Sequence, residues 1–465
     1  MNDLQAGFAR VDCTPPLGIA INGYFVPRIA DGVLDPLEIN CLALSCGDAK
    51  VVLLSMDNTG IAGEVLAEIV PAVCAATGLP REAVFIHSTH THTGGALLPN
   101  LDGPIEQAYK KTTCRKMADA AVMALADLNP ARMGWRVVAA PGISFSRRFR
   151  MKDGSVRTNP GIGNPDISEP LGKPDDNLRL LRFDREGGDT LVLMHFGMHP
   201  DTVGGCKFSA DWPGFARRTL EQAIPGTKAI FFNGAEGEVG TQNVHPKSGD
   251  MNGLSPDFDD VYRGYESTRH LGRFIAGAAL QYYDTVCYTD VDKLTYARRN
   301  VKVPANVPTQ AQLPLARKYA ALHEDGKDDQ IPYTGMQLTT VVAEALRMVR
   351  LAEGPEYFEM PLSGIGIGAV ALVGMPGEPF AGVSLSMQDA PGWETVLVTC
   401  NTNGKEGYFP MQDAYDEGGY EARSSAFRPG VAELLIREGK ALLAQLRDAN
   451  GESQRFALEN PGILL

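Results

Sequence analysis

The chain has no C-x-x-C pair, no basic run, no apolar stretch of membrane length and no Pro/Ser-rich linker, and each absence closes off a class of protein. The eight cysteines (Cys13, Cys41, Cys46, Cys74, Cys114, Cys206, Cys287 and Cys400) are dispersed. In a chain of 465 residues they read as reduced thiols and not as a disulfide framework. A net charge of −13, a pI near 5.2 and the lack of a Lys/Arg stripe argue against nucleic acid as a partner. The densest basic spot is Arg147-Arg148-Phe149-Arg150, which suits either a small anion contact in a site or a solvated turn. No run reaches the roughly 20 apolar residues that span a bilayer. The first residues, Met1 to Ala6, lack the basic-then-apolar pattern of a leader, so the cytoplasm is the expected compartment.

What is present is a hydrophobic content of 44%, enough for a large core. Short apolar runs alternate with amphipathic stretches over the first 290 residues. Strands are expected at Val51–Met56, Val84–Ser88, Leu191–His195 and Ala229–Phe232, and helices at Gly63–Ala76, Ile105–Leu128 and from a cap-like Asp211 to Ala223. Two more helical patterns, Gln310–His323 and Gln337–Leu351, form an insertion over about 306–355. Strands follow at Ile365–Val373 and Thr395–Thr399, then a last helix from about Val431 to Leu446. No repeat or low-complexity tract divides the chain. The expectation is an α/β protein: one large domain over 1–465, with a mixed β-sheet core, flanking helices and the helical insertion.

Five of the eight histidines lie in two segments of one character. Ala83-Val84-Phe85-Ile86 leads into His87-Ser88-Thr89-His90-Thr91-His92-Thr93-Gly94-Gly95, and an apolar run leads to His195-Phe196-Gly197-Met198-His199, with Pro200 and Asp201 turning the chain. Side chains two apart on a strand share a face, so His90 and His92 are expected to reach one pocket while Thr91 faces away. One would hold a metal and the other handle protons. The competing reading makes one or both pairs buried structural histidines. Glu378, in the loop Gly374-Met375-Pro376-Gly377-Glu378-Pro379 beyond a strand, is placed like an active-site carboxylate. The Gly-rich loop Asn233 to Glu238 leaves another strand in the same way. Near the end, Tyr408, Tyr415 and Tyr420 lie among glycines and acids, and composition does not choose between them.

The order of these pieces resembles the neutral/alkaline ceramidase family, whose catalytic domain is a zinc-dependent N-acyl amide hydrolase. The matching motifs are Thr14-Pro15-Pro16, Asn22-Gly23-Tyr24, Thr89 to Gly94, His199-Pro200, Ala210-Asp211, Gly237-Glu238-Val239, Pro376-Gly377-Glu378, and Gly407-Tyr408 through Tyr420-Glu421. The resemblance implies that His90, His199, Glu378 and Tyr408 bind Zn2+. It further implies that His92 carries protons, that Tyr420 faces the developing oxyanion, and that Arg147 or its neighbour Arg148 is an active-site arginine. Two departures accompany it. Gly95 replaces the proline usual after the His-x-His motif, and with Leu465 soon after the Tyr420 motif and one helix, the β-sandwich domain that follows the catalytic domain in those enzymes is expected to be missing. The expected function is zinc-dependent hydrolysis of a linear amide in a small soluble molecule. Alternatives are an esterase or lactonase using the same site, a ceramidase acting on lipid, and, less favoured, a non-enzymatic metal-binding protein. Assembly as a homo-oligomer is left open.

Overall fold

The computed structural model describes residues 4–26, 28–247 and 264–450. In chain order its principal elements begin with β1 (Gln5–Asp12), β2 (Glu38–Cys46), β3 (Ala49–Met56), α1 (Gly63–Thr77), β4 (Val84–Ser88), α2 (Pro104–Ala126) and β5 (Asn129–Ala139). Then come β6 (Asn177–Arg185), β7 (Thr190–Phe196), α3 (Asp211–Ala223), β8 (Thr227–Asn233), α4 (Tyr265–Tyr282), β9 (Cys287–Thr289) and β10 (Leu294–Pro304). The last are α5 (Leu313–Glu324), α6 (Gly335–Ala352), β11 (Tyr357–Ile367), β12 (Val370–Gly374), β13 (Thr395–Thr399) and α7 (Val431–Asn450). No helix among the described residues is long and apolar enough to cross a membrane.

The expected mixed-sheet core is present and is built chiefly of two sheets. A nine-stranded sheet runs β8-β7-β6-β5-β1-β2-β3-β4, with β9 beside β5, and a four-stranded sheet runs β10-β11-β12-β13. Side-chain alternation sets the layers. In β3, Val52 and Leu54 join the core under α1 and α2, whereas Val51 and Leu53 join the core between the sheets. In β7, Val192 and Met194 meet α3 and α4, whereas Leu191 and Leu193 face between the sheets. Val370 and Leu372 of β12 fill the same inter-sheet layer, while Ala371 and Val373 pack on the α7 side. The order is therefore helices, sheet, sheet, helix. Each fully buried Leu or Phe of these layers stabilises the fold by roughly 1.5–3 kcal/mol.

The long apolar run Ile365–Val373 is not one strand. Gly368, at φ 56°, turns the chain so that Ile367 pairs with Val370 in a tight antiparallel hairpin. An all-apolar sequence buried on both faces hides such a turn, because its periodicity does not change. The helical insertion joins β10 to β11, which pair along their whole length from Leu294↔Ile367 to Pro304↔Tyr357. Helices α5 and α6 thus extend from the end of a complete hairpin.

Within the two large sheets three strand pairs are parallel: β3/β4, β7/β8 and β12/β13. The large sheet curls until its edges meet. His87 Nε2 on β4 accepts the Asn233 N–H of β8 at 2.9 Å, and Ser55 Oγ of β3 donates to Phe231 O at 2.6 Å. The second sheet closes on this seam through Cys400 N–H to Asn233 O (3.1 Å) and Ser88 N–H to Asn401 O (3.2 Å). The carboxyl ends of β4, β7, β8, β12 and β13 consequently converge, the place where open α/β sheets hold ligands.

Candidate metal centre

Four buried side chains leave these strand ends for one point. His90 follows β4, His199 follows β7, Glu236 follows β8 and Glu378 follows β12, and one ligand atom from each lies within 4.8 Å of the others. Glu378 Oε2 is 3.5 Å from both His90 Nε2 and His199 Nε2, and Glu236 Oε1 is 3.9 Å from His90 Nε2.

His90 and His92 do meet, at 3.2 Å between their Nε2 atoms, though not by strand alternation. Strand β4 stops at Ser88. Beyond it the Thr89, His90 and His92 amides donate in turn to Met56 O, Asn58 O and Pro200 O, and His90 takes a left-handed backbone with φ 74°. A non-glycine residue in that region is uncommon and persists where surrounding bonds hold it. Thr91 faces away as expected, its hydroxyl donating to Ser209 O at 2.7 Å.

The other ring nitrogens fix the tautomers. His90 Nδ1–H donates to Thr59 O (2.6 Å) and His199 Nδ1–H to Glu236 O (2.8 Å), leaving both Nε2 lone pairs aimed at Glu378. That is how metal-binding imidazoles are oriented. His199 Nε2, Glu378 Oε2 and both Glu236 carboxylate oxygens have no hydrogen-bond partner although buried. Orphaned acceptors of this kind carry a desolvation cost of several kcal/mol in total unless a cation satisfies them. Burial pushes Glu236 up to about 8. Burial also disfavours ionised Glu378, and its pKa is held well below the ordinary carboxylate range where His90 and His199 are protonated; with their lone pairs facing it, a bound cation takes that part. The donor set of imidazole nitrogens and carboxylate oxygens fits zinc.

Loops are pinned around this point. Asp211, expected as the α3 cap, is instead the first residue of α3, with Ala210 at the cap position; its φ is 53°, and its Oδ2 accepts the Thr202 and Val203 amides at 2.8 and 3.0 Å, clamping the loop after His199. Glu378–Pro379 pairs in parallel with Tyr408–Phe409, which sets Glu378 beside Tyr408. A Cβ on Gly377 would lie 2.4 Å from Gly407 O, and one on Gly237 would lie 2.6 Å from Glu378 O, so both motif glycines permit the close approach of backbones.

Of the two arginines, Arg147 reaches the site. Its Nη2 donates to Tyr408 Oη at 3.0 Å and its Nε to Glu421 at 2.6 Å, whereas Arg148 turns to Glu417 at 2.9 Å. Thr158 Oγ1 holds the other Glu421 oxygen at 2.9 Å. Tyr408 and Tyr420 rings meet edge to face, with centroids 5.6 Å apart. A cavity of about 330 Å3 opens onto His90, His92, Glu378, Tyr408 and Tyr420. Tyr415 is turned elsewhere, donating to Phe427 O at 2.8 Å.

Two residues gained a place that the sequence reading did not give them. Glu236 was legible only as part of a Gly-rich loop after a strand. Asp201 read as a turn residue, but its Oδ1 is 3.9 Å from His92 Nδ1 and accepts Tyr24 Oη–H at 2.6 Å. Conversely, His87 and His195 are structural. Their rings bond Cys400 O and Val398 O, both at 2.9 Å, and burial lowers their pKa values to about 3 and about 4.

A two-sheet α/β fold whose strand ends gather histidines and carboxylates defines the class. No family model matches the sequence, and no curated protein matches it. Solved structures do. The neutral ceramidase of Pseudomonas aeruginosa matches with a TM-score of 0.72 at 17% identity, over 97% of this chain and 75% of that one. A ceramidase complexed with C2 matches with a TM-score of 0.71 at 16% identity, over 97% and 76%. The chain has the ceramidase fold, as the order of its motifs implied.

Proposed function

We propose that this chain is a zinc-dependent hydrolase that cleaves a linear amide bond in a small molecule. The observation that carries the reading is the convergence of two imidazole lone pairs, each fixed by a carbonyl on its far nitrogen, on the unpartnered Glu378 carboxylate. In this reading His90, His199, Glu378 and Tyr408 hold the metal, with Glu236 as a further carboxylate beside it. Zinc bound there supplies a Lewis acid that lowers the pKa of a water toward about 7 and polarises a carbonyl.

The chain's own groups do the rest. Burial keeps His92 neutral, well below the usual imidazole range, which is the form that accepts a proton from the attacking water. Its Nδ1 side faces Asp201, a carboxylate suited to stabilise the imidazolium before it gives the proton to the leaving amine. Tyr420 stays a phenol because burial raises its pKa, so it donates to the carbonyl oxygen as negative charge builds there. Burial and Glu378 also push Tyr408 up, and Arg147 opposes them by donating to its oxygen, the polarisation that a phenol ligand requires.

An esterase or lactonase would use the same groups, and ceramidases act through the same fold. Comparing an N-acyl amine with its matched ester separates the readings. The proposal expects appreciable turnover of the amide that depends on zinc. Turnover of the ester alone, with no amide cleavage, would assign the site to ester or lactone hydrolysis.

A further inference from the structure

The cavity before the metal centre contains a cation that the mechanism above leaves without a task. Lys405 lines it together with His90, His92, Glu378, Tyr408 and Tyr420. Among the described residues its ammonium has neither a hydrogen bond nor an ion pair, whereas Arg147 is anchored on Glu421 and Arg148 on Glu417. Its stem is held in place: a Cβ on Gly60 would lie 2.7 Å from Lys405 Cγ and Cδ. Burial lowers its pKa to about 8, with Glu378 opposing.

Glu378 is the carboxylate that compensates this charge, and a metal ligand cannot do so fully. Arg350 of α6 and Glu406 also line the cavity and carry opposite charges, Arg350 opposing the rise in the Glu406 pKa that burial and Glu64 cause. Asn22 lines it too, with an Nδ2 donor that has no partner. With Glu378 and Glu236 beside the metal, Lys405 is left without a carboxylate of its own and Asn22 with an idle amide donor, a pairing that complements an anion and not a neutral lipid chain.

We infer that the substrate carries a carboxylate in addition to the scissile amide, and that Lys405, assisted by Asn22, receives it. This rests on the reading of the site as an amide hydrolase. The carboxylate belongs to the amine half, as in an N-acyl amino acid, or to the acyl half, as in the half-amide of a dicarboxylic acid.

The test measures kcat/KM of the zinc-loaded enzyme on two matched pairs: N-acetylleucine against N-acetylleucinamide, and N-butylsuccinamic acid against N-butylbutyramide. Wild-type enzyme is expected to prefer the acid of one pair by roughly 10- to 100-fold, the worth of a charge-assisted hydrogen bond, and the pair showing the preference identifies the half. Lys405→Met is expected to abolish the preference at unchanged zinc content, and Lys405→Arg to restore part of it. Equal rates on acid and neutral amide, a preference that survives in Lys405→Met, or a parallel fall on both members of a pair would overturn the inference while leaving the amide-hydrolase reading standing. Cleavage of none of the four amides would overturn that reading and this one with it.

Discussion

At the scale of single residues, the site depends on what stands behind each histidine. His90 and His199 are ligand-like because Thr59 O and Glu236 O occupy their Nδ1 protons, and His92 is base-like because Asp201 lies on its Nδ1 side. Asp201→Asn should therefore lower kcat by roughly 10- to 100-fold, the loss typical when an outer partner of a metal-site histidine is removed, with zinc retained. Parallel metal assays and rates on one amide substrate check this. An unchanged kcat would remove Asp201 from the catalytic arrangement, and lost zinc would make it part of the metal centre. The sequence showed His90, His92, His199 and Glu378 because they sit in short, unusual motifs at strand ends. Asp201 and Glu236 lacked such a signal, since an acid in a turn or a glycine loop looks the same whether solvated or buried. The pairing of Arg147 with Tyr408, 261 residues on, was reachable only through the family resemblance.

At the scale of elements, the strands and helices that were expected followed hydrophobic periodicity, others such as β1, β2, β5, β6, β10 and α4 carried no expectation, and the remaining errors came where backbone geometry changes without a change in polarity. Gly368 splits an unbroken apolar run, and the left-handed His90 replaces the strand alternation expected to unite His90 and His92. The α5–α6 insertion was readable as two amphipathic helices, but not its position. Arg350 of α6 lines the cavity before the metal centre, and Tyr333 to Thr340 wall a second cavity of about 370 Å3 that shares Tyr420. Because Pro304 pairs with Tyr357, a short turn can replace residues 306 to 355 without breaking the hairpin. Such a deletion is expected to broaden or shift the range of amides cleaved while leaving zinc bound. An identical substrate profile would show that the insertion does not shape the site.

At the scale of the molecule, the closing of one sheet on another buries titratable groups at the seam, and these act in opposite senses. His87 and His195, depressed by burial, favour the fold more as pH rises, because the unfolded chain binds the protons that the fold excludes. Glu238 does the reverse. Its Oε1 accepts the Ala381 N–H at 3.1 Å across the seam, its Oε2 has no partner, and burial raises its pKa to about 8. The fold then holds a proton that the unfolded chain has released, so stability from this group is lost as pH climbs from about 4.5 to about 8. Glu238→Gln should gain on wild type over that window by about 1.4 kcal/mol per pH unit at most. Melting temperatures of the two proteins between pH 5 and 8.5 would show it, and a difference constant with pH would contradict it. The layered order itself was only half legible: alternating elements indicated α/β, but which apolar face of each strand meets a helix and which meets the other sheet is decided by long-range pairing.

The most direct test of the account is the zinc content of purified protein, prepared without chelators, for wild type, Glu378→Gln and Asp201→Asn. The account expects close to one zinc per chain in wild type and Asp201→Asn, and loss of zinc in Glu378→Gln. Wild-type protein without zinc, or full zinc retained in Glu378→Gln, would contradict the metal centre assigned to His90, His199 and Glu378.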